Sequence, residues 1–133
     1  MKSLIGSEVS DEKFDIAVIG AGFGGVYATH RFREASLSVV GIDGASGFGG
    51  TWYHNTYPGS RVDTDSVDMY SYLFSREIYE GWVWRERYAT AQELMEHINW
   101  VADKLDVRRL FRFDTWLREA QWSPEDGRWH LVD

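Results

Sequence analysis

Cysteine is absent from the 133-residue sequence. Disulfides and thiolate-bound metal are therefore excluded as sources of stability or chemistry. Proline is scarce: the only two, Pro58 and Pro124, fall among turn formers. Basic charge is also short, with 14 Lys and Arg against 21 Asp and Glu and a formal charge of −7. No basic run occurs, which argues against nucleic acid and anionic membrane as partners. The acidic residues are scattered and mark a solvated surface. No stretch approaches the roughly 18 apolar residues of a membrane span. In residues 1–13 the apolar part, Leu4-Ile5, is too short for a signal peptide, so a flexible leader and a cytoplasmic location are expected.

What is present points to a folded domain. The sequence is 44% hydrophobic and 16% aromatic, which is not the composition of a disordered chain. Its length suits one domain with a modest core. The central feature is the stretch from Phe14 to Asp43. An apolar run, Phe14 to Ile19, leads into Gly20-Ala21-Gly22-Phe23-Gly24-Gly25, which fits G-x-G-x-x-G. A helical segment to Ala35 and a second apolar run, Leu37 to Ile42, follow, and Asp43 ends the unit.

Each part has a physical task. Gly20 allows a sharp exit from the strand. Gly22 lets a pyrophosphate approach the backbone, and Gly25 lets the helix pack close to the strand. Free N–H groups near Phe23 and Gly24 face the phosphates. Asp43, about 20 residues on, is placed to accept hydrogen bonds from a ribose. The alternative is a glycine-rich turn that only permits tight packing. The flanking strand and helix, together with the acid, favour an ADP-type dinucleotide site.

The rest of the chain reads in order. Phe14 to Ile19 and Leu37 to Ile42 are nearly all apolar, as expected of parallel strands buried on both faces. Their crossover is right-handed. In the helix between them, Val26, Ala28, Thr29 and Phe32 are expected to face the sheet. Gly44 to Ser66 is turn-rich and long for a loop, which suggests function. The aromatics of Ser66 to Tyr88 form either a satellite core or, in one or two cases, a ligand wall. Thr90 to Asp106 is a helix, with Thr90 and Glu93 as a capping box and Leu94, Ile98, Val101 and Leu105 as its buried stripe. A short strand is expected around Leu110 to Phe113. Thr115 to Trp122 and Arg128 to Val132 should form a hairpin closed by Asp126-Gly127. His30, His97 and His130 lack metal-ligand spacing and read as surface or structural.

Two further stretches carry a resemblance. Gly49-Gly50-Thr51-Trp52-Tyr53-His54-Asn55 and Tyr57-Pro58-Gly59-Ser60-Arg61-Val62-Asp63 resemble the N-terminal flavin-binding part of Baeyer–Villiger monooxygenases. The resemblance continues through Trp82 to Thr90 and Ile98 to Asp106, so it covers residues 14–133. It implies a Rossmann-like, three-layer α/β FAD-binding domain, present only in its N-terminal portion and ending in a β-hairpin.

By that resemblance, Gly20, Gly22, Phe23, Gly24, Gly25 and Asp43 hold the ADP half of FAD. Gly50, Thr51 and Trp52 lie beside the flavin end. Asp63 takes the catalytic place of an aspartate that orients an essential arginine. Tyr70 matches a tyrosine whose backbone contacts the flavin, and Leu117 a strand residue whose backbone meets the adenine. The sequence departs from the family pattern at Asp43 (often Glu), His54 (usually Trp) and Val62 (usually Cys). On residue type alone, Asp63 and Asp65 also suit turn or helix caps, and His54 has no visible partner for proton transfer.

The family oxidises ketones to esters or lactones with NADPH and oxygen, through a flavin peroxide. Its second glycine fingerprint for NADPH, its F-x-G-x-x-x-H-x-x-x-W signature and its arginine do not occur in this sequence. The resemblance covers roughly a quarter of such an enzyme. It implies that another polypeptide segment supplies the NADPH domain and the arginine, and that this chain alone is inactive. An exposed sheet edge and marginal stability are expected with it. The alternatives are a stand-alone FAD- or ADP-binding module, or part of another flavoenzyme such as an N-hydroxylating monooxygenase or a reductase.

Overall fold

The computed structural model describes residues 12–133. The leader expected over residues 1–13 lies outside them except for Glu12 and Lys13. The chain forms β1 (Ile16–Ile19), α1 (Phe23–Glu34), β2 (Val39–Ile42), α2 (Thr51–His54), α3 (Ser66–Tyr70), α4 (Arg76–Gly81), α5 (Ala91–Lys104), β3 (Phe111–Arg112), β4 (Glu119–Ser123) and β5 (Arg128–Val132). β1, β2 and β3 form a parallel sheet in that order. Ile16 pairs with Val39 and Ile19 with Ile42, while Gly41 pairs with Phe111. Consecutive parallel strands stepping in one direction, with crossovers of one hand as the general rule requires, put α1 and α5 on the same face. Their buried residues, Val26 on α1 and Ile98 and Val101 on α5, meet in one core cluster with Phe48 and Phe111.

The strands are not equally buried. β2, flanked on both sides, is buried at all four positions. β1 was expected to be covered on both faces. Instead Val18 is buried and Ile16 half-buried, while Ala17 is exposed and Ile19 is 54% exposed. This alternation is the period-two signature of a strand covered on one face. The physical reason is that Val18 faces α1, while among the described residues no layer covers Ala17 and Ile19 on the opposite face.

Several boundaries differ from expectation. The sequence reading starts this helix at Gly24; α1 starts one residue earlier, at Phe23 with Gly22 as N-cap, and buries Val26 and Thr29 but leaves Phe32 36% exposed. The loop from Gly44 to Ser66 contains α2, and the aromatic stretch contains α3 and α4. These helices are too short to show a 3.6-residue period. On α5, Leu94, Ile98 and Val101 are fully buried and Leu105 is half-buried, as their spacing predicts. Half of the capping box forms: Thr90 Oγ1 accepts from Glu93 N at 3.2 Å. The other half does not, because the buried Glu93 carboxylate accepts from Arg85 N at 2.7 Å.

The terminal hairpin begins later than expected, at Glu119. Gly127, at φ 62°, supplies the left-handed residue of its turn, and its N–H donates to Ser123 O at 2.9 Å. Trp122 and Trp129 face each other across the strands, with ring centroids 5.5 Å apart and planes 58° apart. Both indoles are exposed.

Candidate functional site

The site is built where the strands end. Gly20 leaves β1 at φ 105°, a conformation that residues with a Cβ rarely adopt. Its N–H donates to Ile42 O at 2.8 Å, which ties the turn to the end of β2. Gly25 fits only because it lacks a side chain: a Cβ there would stand 1.9 Å from Gly20 O. The glycine turn thus packs helix α1 directly onto the strand exit. Among the described residues no side chain caps α1, and no acidic residue lies in its first turn. Its leading N–H groups therefore remain available, and an anion is the ligand they suit.

A second turn closes against the first. Gly49 N donates to Ala21 O at 3.0 Å, and a Cβ on Gly50 would lie 2.9 Å from Gly22 Cα. Gly49 and Gly50 have φ of 145° and 54°. The two backbones touch, so the loop residues Thr51 and Trp52 sit beside the glycine turn although far from it in sequence. Gly49 joins Gly50 in this contact, and the Gly49-Gly50 doublet is its signal in the sequence.

Asp43 is half-buried and joins the two halves. Its carboxylate accepts from Ala21 N at 2.6 Å and from Ala45 N at 2.7 Å. A carboxylate has about four acceptor positions, so two of them can still take ribose hydroxyls.

The remaining sequence-predicted residues separate clearly. Thr51 is exposed at the start of α2, and Trp52 is half-buried over the small cluster of Val62, Ala89 and Leu94. Tyr70 stands edge-on to both Phe23 and Trp52, with centroids 5.5 and 6.1 Å away. Its ring therefore bridges the glycine turn and the Gly49 loop. Its carbonyl faces elsewhere and meets His97 Nε2 at 3.2 Å. Leu117 is half-buried just before β4.

Asp63 and Asp65 show two different uses of the same side chain. Asp65 caps α3, accepting from Val67 N at 3.0 Å, and pairs with Arg87 at 2.9 Å. The Arg87 hydrogen bond holds the Asp65 carboxyl below its ordinary range. Asp63 is exposed and has no hydrogen bond or ion pair among the described residues. His54 is exposed, with its ring 5.2 Å from that of Tyr53.

His97, which the sequence reads as surface or structural, lies under this surface rather than on it. It is 1% exposed and packed among Trp82, Trp84, Trp100, Tyr72 and Phe23. A carbonyl can only accept, so Nε2 carries the proton and donates to Tyr70 O, leaving Nδ1 buried without a partner among the described residues. Burial pushes the His97 pKa down to about 4, which keeps the ring neutral near pH 7. Tyr72 adds a second tie from this aromatic shelf, donating its hydroxyl to Phe23 O at 2.7 Å. A groove lined by Trp52, Asn55, Tyr57, Ser60, Gln92 and Met95 encloses about 390 Å³. It includes neither the glycine turn nor Asp43 nor Asp63.

Strand, glycine turn, helix, strand and acid in this geometry define a Rossmann-like dinucleotide-binding unit. A sequence profile for NAD(P)-binding Rossmann-like domains matches residues 18–67. A Baeyer–Villiger monooxygenase of Pseudooceanicola batsensis is 47% identical over 90% of this chain and 22% of its own length. A phenazine N-monooxygenase of Lysobacter antibioticus is 41% identical over the same 90%, and 22% of its own length. The structure of an oxidised steroid monooxygenase bound to NADP superposes with a TM-score of 0.86 at 47% identity, covering 89% of this chain and 22% of that one. The chain corresponds to the N-terminal dinucleotide-binding part of Baeyer–Villiger monooxygenases, as the loop residues implied. It spans about 22% of the length of the relatives it matches. Among the described residues, no helix is long and apolar enough to cross a membrane.

Proposed function

We propose that this chain is the FAD-binding portion of a cytoplasmic Baeyer–Villiger-type monooxygenase, which oxidises ketones to esters or lactones with NADPH and oxygen. The observation that carries the reading is the uncapped N-terminus of α1, set beside a half-buried aspartate and closed by the Gly49-Gly50 turn. Gly20, Gly22, Gly24 and Gly25 shape the phosphate cradle, the leading N–H groups from Phe23 onward hold the charge, and Asp43 takes the ribose. Gly50, Thr51, Trp52 and Tyr70 border the flavin end, and Leu117 borders the base. Bound there, FAD supplies the redox chemistry with oxygen.

Asp63 has the freedom its role needs, because no group in the described fold occupies its carboxylate. In this reading it orients an arginine from another polypeptide segment, which also brings the NADPH site. The bare face of β1 supports such a neighbour. Without that segment the 133 residues lack both hydride delivery and charge stabilisation.

Calorimetry with FAD and ADP tests the site. Binding at one equivalent is expected, and failure of both ligands to bind overturns the reading. NADPH-driven ester formation by the 133 residues alone would overturn the need for a further segment. The phenazine N-monooxygenase relative favours one second reading, oxidation of an aromatic nitrogen. Product analysis of the completed enzyme with a ketone and an N-heteroaromatic separates the two.

A further inference from the structure

A solvent-facing tryptophan stands beside the nucleotide site with no assigned task. Trp116 is 70% exposed and has no ring partner among the described residues, whereas the exposed Trp122 and Trp129 pair with each other. Its position is fixed by the backbone. Asp43 N donates to Arg112 O at 3.0 Å, Thr115 N to Asp43 O at 3.0 Å, and Asp114 N to Ala45 O at 2.9 Å. The segment leading to Trp116 is therefore laced alongside Asp43 to Ala45.

The indole lies flat on Gly44. A Cβ built on Gly44 would meet Trp116 Cε2 at 2.4 Å and Cδ2 at 2.6 Å. These are the two ring-fusion carbons, which have no free edge, so the glycine meets the ring face. The indole occupies the space that a side chain at position 44 would fill. Its other face accounts for the exposure.

The order of a nucleotide then locates its base. With phosphates at the glycine turn after β1 and ribose at Asp43 after β2, the base must lie on the β3 side. The strand order β1-β2-β3 puts Trp116 on that side. We propose that Trp116 recognises the adenine of the bound nucleotide by stacking, with Gly44 as the seat that holds the indole flat. This inference rests on the nucleotide site proposed above. Stacking on an indole uses the π-face common to all bases, so it adds affinity for the adenine half.

The test is calorimetric titration of the 133-residue chain with ADP, in wild type, Trp116→Ala, Trp116→Phe and Gly44→Ala, alongside thermal melting. Trp116→Ala should weaken ADP binding about tenfold, and Trp116→Phe should stay within about threefold of wild type, as a retained aromatic face requires. Gly44→Ala should weaken ADP binding by displacing the indole. All variants should melt with wild type, since the ring is exposed. Unchanged or tighter binding by Trp116→Ala overturns the proposal. Equal losses in Trp116→Ala and Trp116→Phe also overturn it, because the ring face would then not be what matters. If wild type binds neither ADP nor FAD, the nucleotide site falls as well; if wild type binds ADP and Trp116→Ala matches it, only the role of Trp116 falls.

Discussion

β1 and β2 are adjacent, equally long and nearly equally apolar, yet one is sealed and the other half open. β2 has a strand on each side and is buried throughout. β1 has one neighbour and leaves Ile19 54% exposed. The difference shows that apolar sequence records the burial a strand is built for, which the described residues alone do not complete. Ile19 is uncommitted surface in the same sense that Asp63 is an uncommitted charge. Both lie within a few residues of groups that the fold has fully used.

The largest expected effect lies in the packed half. Unfolded, His97 takes up a proton near its ordinary value of 6.5; folded, it does so only near 4. Between these values the unfolded chain holds more protons, so stability falls as pH drops from 6.5 towards 4. The full loss is about 3 kcal/mol. Urea unfolding across this range should show stability falling with pH more steeply in wild type than in His97→Phe, which lacks the titrating ring. Parallel curves would mean that the ring is not held neutral by burial.

Next comes the strand comparison itself. Val40→Ala on β2 should cost about 2 kcal/mol, because a buried methyl pair is lost from a packed site. Ile19→Thr on β1 should change the isolated chain by less than about 0.5 kcal/mol. A comparable loss at both positions, measured by urea unfolding, would show that β1 is covered after all. The smallest effect separates the aspartates. Asp65→Ala removes the α3 cap and should lower the melting temperature by about 3 °C. Asp63→Ala should leave melting unchanged, while abolishing ester formation in the completed enzyme.

Much of the site was legible because glycine constraints are local. A left-handed exit at Gly20 and a forbidden Cβ at Gly25 leave a pattern that needs no knowledge of the rest of the fold. The stripe on α5 was legible for the same reason: a long helix repeats its period several times. The short helices α2, α3 and α4 repeat nothing. Glu93 turned to Arg85 N, and His97 to Tyr70 O, because chain segments outside the helix folded onto them, and helical spacing carries no trace of that. The exposure of Ile19 was hidden for a related reason, since its sequence describes a covered strand. The distinction between Asp63 and Asp65 came from the loop resemblance, since both suit a cap by residue type and only the fold shows that Asp65 alone serves as one.

The cross-strand pair Trp122 and Trp129 makes the hairpin its own optical probe. Two indoles 5.5 Å apart and tilted by 58° couple their excited states. Such coupling splits an absorption band into circular dichroism lobes of opposite sign, and it vanishes once the rings separate. Trp82 also lies 5.5 Å from Trp100 and 6.0 Å from Trp84, so the part of the couplet that is lost in Trp129→Phe is the part that follows the hairpin. Comparing its melting with that of the helical signal would show whether the hairpin opens before the nucleotide-binding sheet or together with it.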